Sequence, residues 1–73
     1  MADDLQWRDV DSTNISSVAY GKETQTLHVK FQNGGYYTHH GVPEWEHAAM
    51  MAAPSVGSHY SQRVRGAYPA ERQ

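Results

Sequence analysis

Cysteine is absent from the 73 residues. That excludes disulfide staples, thiolate nucleophiles and cysteine-ligated metals, and a cytoplasmic location is the expectation that follows. Long apolar runs are missing too: nothing approaches the roughly 20 residues that a helix needs to cross a bilayer. The start, Met1-Ala2-Asp3-Asp4, has neither the basic nor the apolar region of a signal peptide. No membrane partner is expected, and the Asn14-Ile15-Ser16 sequon reads as accidental. Positive charge is scarce: the formal net charge is −2, so nucleic-acid binding would need a local patch rather than a global field. Catalytic signatures are lacking as well. There is no nucleophile elbow, Gly34-Gly35 has neither the spacing nor the lysine of a phosphate loop, and Glu44-Trp45-Glu46-His47 is not an HExxH motif. A chain this short buries only about 60% of its unfolded surface, which leaves little room for a sequestered pocket. No enzyme activity and no cofactor are expected.

What is present fits one small globule, with 38% hydrophobic and 19% charged residues. Residues 1–9 have no clean period and read as a flexible arm, on which Trp7 is the one residue suited to docking. A single domain is expected over residues 10–68, followed by a tail, residues 69–73. Asp3, Asp4, Asp9 and Asp11 crowd one end, and Arg63, Arg65 and Arg72 the other. The first strand is read from Ile15 to Tyr20, and Gly21 to Gln25 supplies turn chemistry. Leu27, Val29 and Phe31 then alternate with His28, Lys30 and Gln32, the pattern of a strand with one buried and one wet face.

Asn33-Gly34 is a strong hairpin signal, since both residues tolerate the positive φ of a two-residue type I′ turn. A two-residue turn, which Asn-Gly chemistry favours, sets Phe31 against Tyr36, Lys30 against Tyr37, Val29 against Thr38 and His28 against His39. Tyr37 and His39 then lie opposite the Leu27/Val29/Phe31 face. A three-residue loop including Gly35 reverses this and buries them. Pro43 suits the first position of a helix running to about Ala52, with Glu44 and Glu46 at its positive end. Trp45, Ala48, Ala49 and Ala52 fall on one stripe, expected to face the core. Pro54 ends that helix. Ser55 is a plausible N-cap for a second one, in which Val56, Tyr60 and Val64 recur every four residues before Gly66. The expected fold is α+β, a three-stranded antiparallel meander followed by two short helices, in the order β-β-β-α-α.

The ordered set Val10, Ser12-Thr13-Asn14-Ile15, Val18-Ala19-Tyr20, Leu27, Val29, Phe31, Asn33-Gly34, Tyr37, Val42-Pro43, Ala53, Ser55, Gly57, Tyr60, Val64 and Tyr68 resembles the KTSC domain family. That family is named for its occurrence at the C-terminus of some lysyl-tRNA synthetases and also occurs as a stand-alone bacterial protein. Its central Tyr-x-Tyr motif is half kept here, as Tyr37-Thr38-His39. The resemblance carries no established activity, but the synthetase connection points to RNA.

Two surfaces are candidates for function. His28, Lys30, Tyr37 and His39 would form one face of flat rings and a cation, suited to base stacking and phosphate attraction, with Arg63 and Arg65 adding charge. Single-stranded RNA or tRNA is the expected partner. The alternative is a protein partner or self-association, through a sheet edge bearing Tyr36 and Tyr37 or through Tyr68-Pro69. The pair His28 and His39 falls short of the three or four ligands of a zinc site, so no metal is expected, although protonation would add positive charge between about pH 8 and 5.

Overall fold

The computed structural model describes residues 5–73; residues 1–4 of the expected arm lie outside the described residues. Five strands form one antiparallel meander in sequence order: β1 (Arg8–Asp9), β2 (Ile15–Gly21), β3 (Thr26–Phe31), β4 (Tyr36–His39) and β5 (Ala70–Arg72). The three central strands stand where β-branched residues, the Leu27–Phe31 alternation and the Asn33-Gly34 turn place them. The two edge strands come from segments read as arm and tail, which carry no alternating pattern because they are exposed. Their pairing is carried by the backbone: beside β1 the Val10 N–H donates to the Ser16 carbonyl, and beside β5 the His40 N–H donates to the Pro69 carbonyl and the Gln73 N–H to that of Tyr36.

Between β4 and β5 run α1 (Glu44–Ala52), α2 (Val56–His59) and, continuing α2 directly, a π-helical segment (Tyr60–Val64). Ser55 caps α2 as expected, its Oγ accepting from Ser58 N–H at 3.2 Å. The π-helical register is marked by Arg65 N–H donating to the Tyr60 carbonyl five residues back.

The core lies on one face of the sheet, where Ile15, Val18, Leu27 and Val29 meet Val42, Met50, Tyr60 and Val64. Ile15 and Val18 share that face because the register shifts between Ile15 and Ser17, a bulge that changes which face the following residues take.

Beyond the strand count, which is five rather than the expected three, two expectations are corrected. The helix stripe is rotated: Glu46 and Met50 are the buried residues of α1, while Trp45 is 63% exposed and Ala48, Ala49 and Ala52 face outward with it. Val42 sets the phase. It is fully buried, its N–H donates to the Gln25 carbonyl, and its carbonyl accepts from the Tyr20 hydroxyl, so the helix enters with Met50 beneath it. The hairpin register is the second correction. The loop has three residues, Gln32, Asn33 and Gly34, closed by Phe31 N–H donating to the Gly35 carbonyl at 2.8 Å. Only Gly34 takes a positive φ, +94°; Asn33 instead accepts the Gly35 N–H on its Oδ1 at 3.0 Å. This is a type I turn followed by a left-handed glycine. Lys30 is therefore opposite Tyr36, Val29 opposite Tyr37, His28 opposite Thr38 and Leu27 opposite His39.

Candidate functional site

The register change distributes the sequence-predicted residues over two faces. His28 and Lys30 lie on the face away from the helices, and Tyr37 and His39 lie on the helix side with Val29 and Leu27. His28 and His39 do not face each other. Arg65 joins Tyr37 and His39 in lining a cleft, whereas Arg63 is exposed and lines none of it.

On the helix-free face, two residues outside the expected set take the places of Tyr37 and His39. Tyr36 is the partner of Lys30 across the hairpin, and its hydroxyl lies 2.9 Å from His28 Nδ1. Trp7 packs edge-on against both rings, with centroids 5.5 Å from Tyr36 and 6.1 Å from His28. Lys30 Nζ stands 4.3 Å from the Trp7 ring and 5.5 Å from that of Tyr36, within range for cation–π attraction. The floor beside them is made of small side chains, Ser17, Ala19, Thr26 and Thr38, all buried. Asp9 and Glu71 occupy the same face by register, so the patch is aromatic with little net charge. Tyr36 was within reach of sequence reasoning, since a three-residue loop turns it to the Lys30 side. Trp7 was named as a docking residue, but nothing in the sequence said onto which face.

On the helix side, the hairpin and the π-helical segment enclose a cleft of about 550 Å³. Phe31 is the shared ring: Tyr37 and Tyr60 each meet it edge-on, both with centroids 5.5 Å away. The floor is His39, fully buried. Its Nδ1 lies 3.4 Å from the Tyr68 carbonyl, which can only accept, and its Nε2 lies 2.8 Å from the Tyr60 hydroxyl. The carbonyl fixes a proton on Nδ1, and in the neutral imidazole the Tyr60 hydroxyl then donates to Nε2. Burial lowers the pKa of His39, against the opposing pull of the Tyr68 carbonyl. Burial also raises that of Tyr60, opposed by the positive charge of Arg65. Both groups are held neutral, so the floor adds no charge of its own.

Among the described residues, Arg65 is the one lining side chain of the cleft with a fixed charge, and none is a carboxylate. Arg72 is the register partner of Tyr37 on β5 and so shares its face at the sheet edge. Asn14 and Ser61 bring an amide and a hydroxyl. Gly57 permits the close seating of α2 against the loop before β2, since a Cβ there would stand 2.9 Å from Ser12 Oγ. That oxygen is fixed by accepting from Asn14 and Ile15 N–H. Tyr60, Asn14 and Ser61 were missed as partners of Tyr37 because they are distant in sequence; Asn14 and Tyr60 stand with Tyr37 in the family pattern, which gives order along the chain but not proximity. Among the described residues no three His, Cys, Asp or Glu side chains are grouped to hold a metal, and no helix is long and apolar enough to cross a membrane.

A protein of Stutzerimonas stutzeri (strain A1501), described as uncharacterized, is 34% identical over 53 residues, 73% of this chain and 75% of that protein. A lysine–tRNA ligase of Nostoc punctiforme is 31% identical over 58 residues; these are 80% of this chain but only 10% of the ligase. Among solved structures, the crystal structure of a KTSC domain protein from Yersinia pestis superposes with a TM-score of 0.92 at 28% identity, covering 96% of this chain and 99% of the other. The KTSC domain model matches residues 11–68, and with most of its length so matched, this α+β chain belongs to the KTSC domain family.

Proposed function

We propose that the chain is a non-catalytic module that binds single-stranded RNA on the helix-free face of its sheet. The observation that carries this reading is the cluster of Trp7, His28 and Tyr36 with Lys30 among the rings. Flat π faces on an open sheet suit unstacked bases, and an adjacent ammonium suits phosphate. The likeness to a segment of a lysine–tRNA ligase, a protein whose name gives tRNA as its substrate, supports the same class of partner. Asp9 and Glu71 on that face repel phosphate and keep the affinity modest, and the contact of Lys30 with phosphate makes it sensitive to salt.

The test is a heteronuclear NMR titration with a short single-stranded RNA at low and at physiological salt. Saturable shifts are expected at His28, Lys30, Tyr36 and the Trp7 indole. Tyr36→Ala should cost about 1–3 kcal/mol of binding, and Lys30→Ala should reduce the salt slope by about one phosphate contact. No saturable shift at low salt, or shifts confined to the cleft, would refute RNA binding on this face.

A second reading, contact with a protein or with another copy of the chain, draws on exposed Trp45 and the alanines beside it on α1. It predicts a sedimentation coefficient that rises with concentration and ceases to do so in Trp45→Ala.

A further inference from the structure

The cleft on the helix side is walled, lined and charged differently from the sheet face, and it lies on the opposite side of the sheet. Its volume of about 550 Å³ falls within the range of about 300–1,000 Å³ usual for small-molecule sites. Phe31 and Tyr37 present aromatic surface at the hairpin end, and Arg65 sets a guanidinium at the π-helical side with no carboxylate in the lining to neutralise it. A guanidinium matches the oxygens of a phosphate with two parallel donors. Asn14 and Ser61 offer the mixed donors and acceptors that a sugar or base edge requires. An inorganic anion would leave the aromatic surface unused, and an uncharged aromatic would leave Arg65 unused.

We infer that this cleft binds one nucleotide, its base against Tyr37 and Phe31 and its phosphate on Arg65. The site is independent of the sheet-face reading and stands if that reading fails. A free nucleoside monophosphate and the phosphorylated end of a strand present the same chemistry to it.

The experiment is an NMR titration of the intact chain with adenosine 5′-monophosphate, with adenosine and inorganic phosphate titrated in parallel. The nucleotide should give saturable shifts at Tyr37, Ser61 and Arg65 while Lys30 and Tyr36 stay unmoved. Adenosine should bind at least about tenfold more weakly, because it lacks the charge-assisted bonds to the guanidinium. Arg65→Ala, at an exposed position, should abolish that difference, and Tyr37→Ala should weaken both ligands. If Tyr37→Ala fails to fold, the Arg65 variant alone still decides. A short RNA with and without a 5′-phosphate separates the two sources, read at the Tyr37, Ser61 and Arg65 signals alone: saturation of these at lower concentration than with the free nucleotide, lost without the 5′-phosphate, assigns the cleft to strand ends, and equal or weaker saturation assigns it to free nucleotides. The inference is overturned if the nucleotide gives no saturable shift, if it moves only Lys30 and Tyr36, or if inorganic phosphate binds as tightly as the nucleotide does.

Discussion

At Glu46 the folded chain places a carboxylate in its interior, 2% exposed. The nearest cationic candidate is His59, whose Nε2 lies 3.9 Å from Oε1, too far for a hydrogen bond. Among the described residues, neither Glu46 Oε2 nor His59 Nε2 has a hydrogen-bonding partner. Removing a carboxylate from water costs several kcal/mol, and a long contact of this kind returns little of it. The double variant Glu46→Met, His59→Leu replaces both buried polar partners with apolar side chains of similar volume. It should stabilise the fold by about 1–2 kcal/mol in urea unfolding, and a lower midpoint would show that the Glu46–His59 pair is net favourable. From sequence, Glu46 looked like a surface acid complementing the start of α1, and Trp45 like its core anchor. Both assignments rest on helical phase, which the composition of a nine-residue helix does not fix when apolar residues occur on both sides.

For the elements, the β3–β4 hairpin shows how one residue of loop length decides which side chains share a face. The alternation of β3 was legible, as was the turn at Asn33-Gly34. The pairing was not, because Asn-Gly chemistry serves both a two-residue turn and the last two positions of a three-residue loop. Gly34 holds the observed form with φ +94° and open space around it, so Gly34→Ala meets no clash but bears the left-handed penalty of about 1–2 kcal/mol. The urea midpoint should fall accordingly; an unchanged midpoint would mean that the loop has moved to another conformation. The second helix was read more accurately. Its Ser55 cap and the buried Tyr60 and Val64 match the expected spacing, and the π-helical turn changes only which residue follows them on the cleft side.

The whole molecule couples folding to pH through histidines that it holds neutral. Burial lowers the pKa of His39, with His40 adding a smaller effect of the same sign. Burial also lowers that of His47, which stacks on Tyr20 at 4.7 Å and feels Arg8 in the same direction, with Glu44 opposing. The unfolded chain takes up these protons near the ordinary value of 6.5, and the folded chain only at lower pH. The unfolded state therefore binds more protons across that interval. This contribution to stability is complete above pH 6.5 and is lost as pH falls through the folded values. The melting temperature should drop as pH falls through that interval, and the double variant His39→Gln, His47→Gln should flatten the slope; an equal slope in the variant would assign it to other groups. The sequence by itself determined the class of fold, the three central strands, the two helical segments, the Ser55 cap and the family, because alternation, turn residues and capping are local and repeat at short range. Tertiary structure alone decided the pairing of the edge strands, the phase of α1 and the face taken by Tyr37 and His39. Backbone bonds between distant segments, the anchoring of Val42 and one loop residue set these, and none of them leaves a periodic trace in the chain.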